Sequence, residues 1–124
     1  MDNEFLLQDR IQKIQQIIKK YGEDNFYVAF SGGKDSTVLS ALIDMAIPRN
    51  RIPRVYSNTG IELEMIKNFV FEMAKSDDRL VILKPSTPIK QTLETKGYPF
   101  KSKVFSKYVE RFRKLGNTKS ILVY

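Results

Sequence analysis

The stretch Ser31-Gly32-Gly33-Lys34-Asp35-Ser36-Thr37 constrains this chain more than any other, because of what stands on either side of it. The apolar run Phe26-Tyr27-Val28-Ala29-Phe30 precedes it, and Val38-Leu39-Ser40-Ala41-Leu42-Ile43 continues it as a helical pattern. A buried strand that enters a short loop and leaves as a helix is the first part of a strand-helix-strand unit. Two adjacent glycines let the backbone take positive φ and turn successive N–H groups to one concave side, where an anion can approach closely. The following helix adds unpaired N–H groups and the positive end of its dipole, about +0.5 charge. Lys34 adds a full positive charge, and Ser31, Ser36 and Thr37 add hydroxyl donors. The loop reads as an anion site whose best simple ligand is a phosphate chain.

The rest of the chain repeats the unit. Apolar residues at Leu7, Ile11, Ile14, Ile18 and Tyr21 predict an amphipathic first helix over residues 1–22, capped by Asp2 or Asn3 and stopped by Gly22. Lys13, Lys19 and Lys20 read as its solvated side, although the same spacing would suit a homo-oligomer. The run 26–30 is apolar throughout and is expected to be a central strand. The helix after the loop should end near Ala46, before Pro48 and the basic connector Arg49-Asn50-Arg51-Ile52-Pro53. A strand at 54–57 then meets the turn Asn58-Thr59-Gly60, a helix runs from about 62 to 75, and Leu80-Val81-Ile82-Leu83 forms a third strand. Crossovers of more than ten residues imply parallel pairing, and ligands in such sheets sit beyond the carboxyl ends of the strands. Ser86-Thr87-Pro88 opens a short helix, Gly97-Tyr98-Pro99-Phe100 interrupts it, and Ser102 caps a last helix over 103–115. Residues 121–124, Ile-Leu-Val-Tyr, are expected to add an edge strand. The fold class is therefore α/β, a three-layer domain with a mostly parallel sheet of four or five strands and helices on both faces.

At 124 residues the chain is expected to be a single domain with one core. No apolar run approaches the roughly 20 residues that span a bilayer. Met1-Asp2-Asn3-Glu4 lacks the basic start of a signal peptide, so the expectation is a cytoplasmic protein without a membrane partner. There is no cysteine and no histidine. Thiol nucleophiles, disulfides, structural zinc and the usual neutral-pH acid and base are thereby excluded, leaving Lys, carboxylate, hydroxyl, backbone and a hard cation such as Mg²⁺. The formal charge is +7, and the segment 101–124 holds seven basic residues against one acid, Glu110.

The loop is not the Walker A pattern, in which a glycine, four residues and Gly-Lys-Ser/Thr follow one another. It resembles the PP-loop, Ser-Gly-Gly-x-Asp-Ser, of the adenine nucleotide α-hydrolase-like superfamily, which includes ATP pyrophosphatases and phosphoadenosine phosphosulfate (PAPS) reductases. Val55-Tyr56-Ser57-Asn58-Thr59-Gly60 resembles the second signature of the PAPS reductase family, and Gly97-Tyr98-Pro99 stands where relatives carry a Gly-x-Pro turn. The resemblance implies binding of ATP or a PAPS-like nucleotide, with phosphates held by Ser31, Gly32, Gly33, Lys34, Asp35, Ser36 and Thr37. It implies an adenine and ribose side made by Phe30, Ser57, Asn58, Thr59 and Gly60. Three departures follow. Glu64-Met65-Ile66 stands where relatives have Pro-Glu-Thr, leaving Glu62 or Glu64 to replace the family acid. The region in which relatives carry residues for a second substrate is expected to be missing. A thiol-based reductase step is expected to be absent, since no cysteine exists to attack sulfur.

The charges divide into candidates. Lys34 reads as a phosphate ligand, and Lys34 with Asp35 are the candidate catalytic pair for Mg²⁺-dependent cleavage between the α- and β-phosphates or for adenylyl transfer. Asp35 either helps hold Mg²⁺ or only stabilises the helix N-terminus. Asn58 either reads a ligand or caps its turn, and Glu62 reads as a first-turn helix acid rather than a base. Lys103, Lys107, Arg111 and Lys114 recur at steps of four, four and three and form one stripe on the last helix. A non-enzymatic alternative uses that stripe to engage nucleic acid or a protein partner, as an inhibitor or subunit. Tyr98, Phe100 and Tyr108 read as packing residues rather than a stacking platform.

Overall fold

The computed structural model describes residues 2–99 and 102–116. The expected strand at 121–124 and Phe100 lie outside the described residues. In chain order the elements are α1 (Asn3–Tyr21), β1 (Val28–Ala29), α2 (Lys34–Ala46), β2 (Arg54–Ser57), α3 (Glu64–Ser76), β3 (Leu80–Leu83), α4 (Ile89–Lys96) and α5 (Lys103–Leu115), with one 3-10 turn at Glu23–Asn25. They fall into two compact units, Met1–Pro88 and Ile89–Tyr124.

In the first unit the three strands pair in parallel in the order β1-β2-β3, with Val28 opposite Arg54 and Arg54 opposite Leu80. Two right-handed crossovers that step in the same direction leave both connecting helices on one side of the sheet. The burial pattern agrees with that rule. Val28, Phe30, Arg54, Tyr56 and Leu80 share one face and are buried. Ile43 of α2 packs with Val28, and Val70 of α3 packs with Phe30, Tyr56 and Leu80. On the opposite face Val81 is 41% exposed and Leu83 50%, with Tyr27 just before β1 at 67%. Helices on both faces were expected; among the described residues of this unit they cover one. β1 likewise differs from expectation, being an edge of the described sheet rather than its centre. It is two residues long because only Val28 and Phe30 turn their amides to β2, donating to Pro53 O at 2.8 Å and Val55 O at 2.9 Å.

Helix α1 starts where Asp2 accepts from Glu4 N at 3.1 Å and ends at Gly22, whose φ is +87°. Ile18 joins the core cluster of Val28, Ile43 and Ile52, and Gln15 donates to Ala46 O at 2.9 Å, fixing α1 to the end of α2. No described helix is long and apolar enough to cross a membrane.

A charged network lies at the other end of the sheet from the loop. Arg54, 1% exposed, opens β2 with its guanidinium among Ser40 and Asp44 of α2, Asn50 and Ile52 O. Asp44 Oδ1 takes Arg54 Nη2 and Arg79 Nη1, each at 2.8 Å, and Arg79 also holds Asp77. One carboxylate thus ties α2 to the strands at both ends of the β2-β3 crossover. Asp44 sits below its ordinary value of 3.8, through the Arg79 hydrogen bond first, with Asn50 and both guanidinium charges adding against desolvation. Asp77 is lowered in the same way, Arg79 again first.

A folded value below the unfolded one means stabilisation that is complete above about pH 4 and is lost as pH falls through the folded value. Urea titrations are therefore expected to show a steep acid loss in the wild type. Asp44→Asn should be less stable at pH 7 and show a shallower acid loss. Equal acid slopes in the two proteins would refute this role of Asp44.

In the second unit, Ser102 Oγ accepts from Phe105 N at 3.3 Å to open α5, and Gly116 closes it. Neither α4 nor α5 has a fully buried residue. Lys114 pairs with Glu110 at 2.7 Å, so the stripe is partly compensated. Lys103, Lys107 and Arg111 have no ion pair among the described residues.

Candidate functional site

The turn from β1 into α2 is built by one glycine, not two. Gly32 takes φ +77°, whereas Gly33 is extended at φ −81° and caps α2. Gly32 is also the point of closest packing. A Cβ there would stand 2.7 Å from Val70 Cγ2 and 2.8 Å from Ile66 Cγ2, so the loop backbone rests on α3 with no room for a side chain. Gly33 meets only Ser31 Oγ, at 3.4 Å.

Hydroxyls lock the turn from inside. Ser36 Oγ donates to Gly33 O at 3.1 Å and accepts from Ser31 N at 3.2 Å, while Thr37 Oγ1 donates to Gly33 O at 2.8 Å. These two hydroxyls, expected as donors to a ligand, direct their protons to the loop's own carbonyl. What remains outward is backbone. No side chain caps α2, and the first of its amides to bond back is Thr37 N, to Gly33 O. The amides of Lys34, Asp35 and Ser36 are the unpaired donors of the first turn. Lys34 and Asp35 are exposed and form no ion pair among the described residues.

Beside the loop, at the carboxyl ends of β1 and β2, a cleft of about 260 Å³ is lined by Ala29, Phe30, Ser31, Val55, Tyr56, Ser57 and Glu62. Phe30, Ser31 and Ser57 of the candidate set therefore share one cavity, and Asn58, Thr59 and Gly60 do not line it. Asn58 Oδ1 accepts from Gly60 N at 3.3 Å, and Asn58 N donates to Leu83 O at 2.8 Å, which is the capping role. A second pocket of about 140 Å³, among Ile14, Ile18, Leu39 and Ile43, is an apolar gap in the α1-α2 packing.

Glu62 is not in the first turn of a helix, since α3 begins at Glu64. Its Oε1 accepts from Thr59 N at 3.0 Å and from Thr59 Oγ1, and its Oε2 accepts from Gly60 N at 3.1 Å. These bonds, the Thr59 hydroxyl foremost and the Thr59 amide next, pull the carboxyl down to about 2. Tyr56 has a buried hydroxyl without a hydrogen-bond partner, the one such side-chain atom among the described residues. Burial pushes this phenol up, with the Glu62 charge adding.

The sequence reading missed the buried hydroxyl of Tyr56. It also missed the brace role of Glu62, which was legible in Thr59-Gly60-Ile61-Glu62, the spacing by which an acid reaches back to the amide of a Thr three residues earlier. A Mg²⁺ ion would find a single carboxylate at the loop, Asp35. No group of three or more metal-ligating side chains forms among the described residues. An ion at Asp35 would therefore take its remaining oxygens from a ligand and water.

The model of the phosphoadenosine phosphosulfate reductase domain family matches residues 25–123. A glutamine-hydrolysing GMP synthase from Thermosipho africanus (strain TCF52B) is 39% identical over 62 residues, which is 49% of this chain and 12% of that protein. The chain thus spans a small part of the length of this curated relative. No solved structure matches.

Proposed function

This chain belongs to the phosphoadenosine phosphosulfate reductase domain family, and from that premise we propose that it binds an adenine nucleotide, ATP or a PAPS-like molecule, with phosphates on the 31–37 loop and the base in the cleft between β1 and β2. The observation that carries the reading is the junction of two features. An uncapped helix start with outward amides adjoins a cleft of about 260 Å³ whose wall begins at Ser31. Anion donors and an apolar slot for a flat base therefore meet at one residue. Lys34 supplies the full charge, and Asp35 would help hold Mg²⁺ against the phosphates.

Such a site is suited to cleavage between the α- and β-phosphates, the loop amides and Lys34 stabilising charge on the departing pyrophosphate while an acceptor takes the adenylyl group. A thiol route is closed to this chain, which has no cysteine. The second reading, a binding protein or subunit that engages nucleic acid or an acidic partner, is favoured by one observation. Lys103, Lys107 and Arg111 follow one another at four-residue steps on α5 without ion pairs among the described residues.

Calorimetric titration of ATP with Mg²⁺, and of PAPS, into the wild type and Lys34→Ala tests the first reading. Loss of the lysine is expected to weaken nucleotide binding about tenfold or more with unchanged melting. AMP and pyrophosphate in the titrated sample would make the protein an enzyme. Absence of heat with either nucleotide would refute the reading and leave the α5 stripe as the binding element.

A further inference from the structure

The loop and the cleft carry opposite instructions about charge. The cleft lining includes Ser31, which leads into the anion donors of α2, and Glu62, which follows β2 and bears a carboxylate. That carboxylate is held by two amides and a hydroxyl from Thr59 and Gly60. No lysine or arginine pairs with it among the described residues. A carboxylate offers about four acceptor sites, so three donors leave capacity for one more. Tyr56, 2% exposed, lines the same cleft, and its hydroxyl is unpartnered. A native structure rarely buries such a group without a partner, and a polar ligand atom is one way to supply it.

We propose that Glu62 is the specificity-determining residue of this cleft. It accepts a hydrogen bond from a ribose hydroxyl and repels a phosphate at that position, so that the ligand is a nucleoside triphosphate with a free 3′-hydroxyl. The proposal rests on the nucleotide reading and decides between its two ligands, against the 3′-phosphorylated one after which the family is called. Two considerations support it. The carboxylate stays ionised throughout the physiological range, being held down to about 2. It cannot easily swing aside, because releasing it would leave the Thr59 and Gly60 amides unpaired. A second phosphate group placed against it meets a fixed like charge, which lowers affinity roughly tenfold to a hundredfold.

The test is calorimetry of the wild type with ATP, 3′-deoxy-ATP and adenosine 3′-phosphate 5′-triphosphate, which differ at the 3′ position alone. ATP is expected to bind about tenfold or more tighter than either analogue, since a hydrogen bond to a charged group is at stake in one and charge repulsion in the other. In Glu62→Gln the penalty for the 3′-phosphate should shrink toward unity. A role for Glu62 confined to bracing the turn would weaken all three ligands by one factor and leave their ratios unchanged, which overturns the proposal. The wild-type series decides the question even where the variant's turn is disturbed. ATP binding that depends on Lys34, with the 3′-phosphorylated ligand bound equally or more tightly, overturns this inference alone. Failure of all three ligands to bind overturns it together with the nucleotide reading.

Discussion

Gly32→Ala is expected to destabilise the protein by about 2–5 kcal/mol, and Gly33→Ala to leave it close to the wild type. The first substitution places a Cβ on a residue at φ +77°, where an L-residue costs about 1–2 kcal/mol. It also drives that Cβ to 2.7 Å from a methyl of Val70, which is fully buried and has no space to yield into. Overpacking of a filled core adds about 1–3 kcal/mol. Gly33 takes φ −81° and has a single neighbour at 3.4 Å, so alanine fits there. Denaturant melts of the two variants beside the wild type make the comparison. Equal midpoints for all three would show that the loop does not rest on α3 as described. Because α3 is displaced in the first variant and not in the second, nucleotide binding should fall with stability in Gly32→Ala.

The second large effect is expected at Arg54. Its five N–H donors are directed at Ser40 Oγ, Ser40 O, Asn50 Oδ1, Ile52 O and Asp44 Oδ1, in a residue 1% exposed. Burial pushes the guanidinium down from its ordinary value, Arg79 adding to that push, and Asp44 with Asp77 opposes it. Arg54→Met is of similar length and apolar, yet it leaves these acceptors facing a thioether. Asp44 is 43% exposed and keeps Arg79, so the cost, about 3 kcal/mol, comes chiefly from the buried acceptors of Ser40, Asn50 and Ile52 left unpaired. Arg54→Lys should recover little, since one ammonium cannot reach five acceptors in a planar fork. A thermal melt that moves by only a degree or two in Arg54→Met would show that the network contributes specificity without stability.

Local pattern carried most of the elements. The boundaries of α5 and β3 follow from Ser102, Gly116 and the run 80–83, and the loop at 31–37 was legible because its glycines, lysine and hydroxyls are contiguous. What escaped is long-range. Asp44 lies on α2, Arg54 opens β2 and Arg79 stands in the turn before β3, and no periodicity links an acid on α2 to a base opening β2. The one clue was phase, since Arg54 is two residues from Tyr56 and must face the same buried side. β1 was read as central because all of 26–30 is apolar, but apolar residues do not say how many neighbours a strand has. Tyr27 at 67% exposure shows that such a run can have an uncovered side. Within the site, the loop was found by composition. The brace from Glu62 was spelled out by the spacing from Thr59 to Glu62, but starting the helix at 62 hid it, because a helical pattern locates that start only within a turn.

The packing of Gly32 on Ile66 and Val70 also governs how the site meets its ligand. α3 follows directly from the turn that Glu62 braces, so the 31–37 loop and the cleft wall at Glu62 are both mounted on the same helix. Ordering a loop costs about 1–2 kcal/mol per residue in lost conformational freedom. Here the core restrains those residues when the chain folds, before any ligand arrives. Association should then proceed in one kinetic step, without a slow closing phase, and the ligand's own loss of freedom becomes the main entropic term against binding.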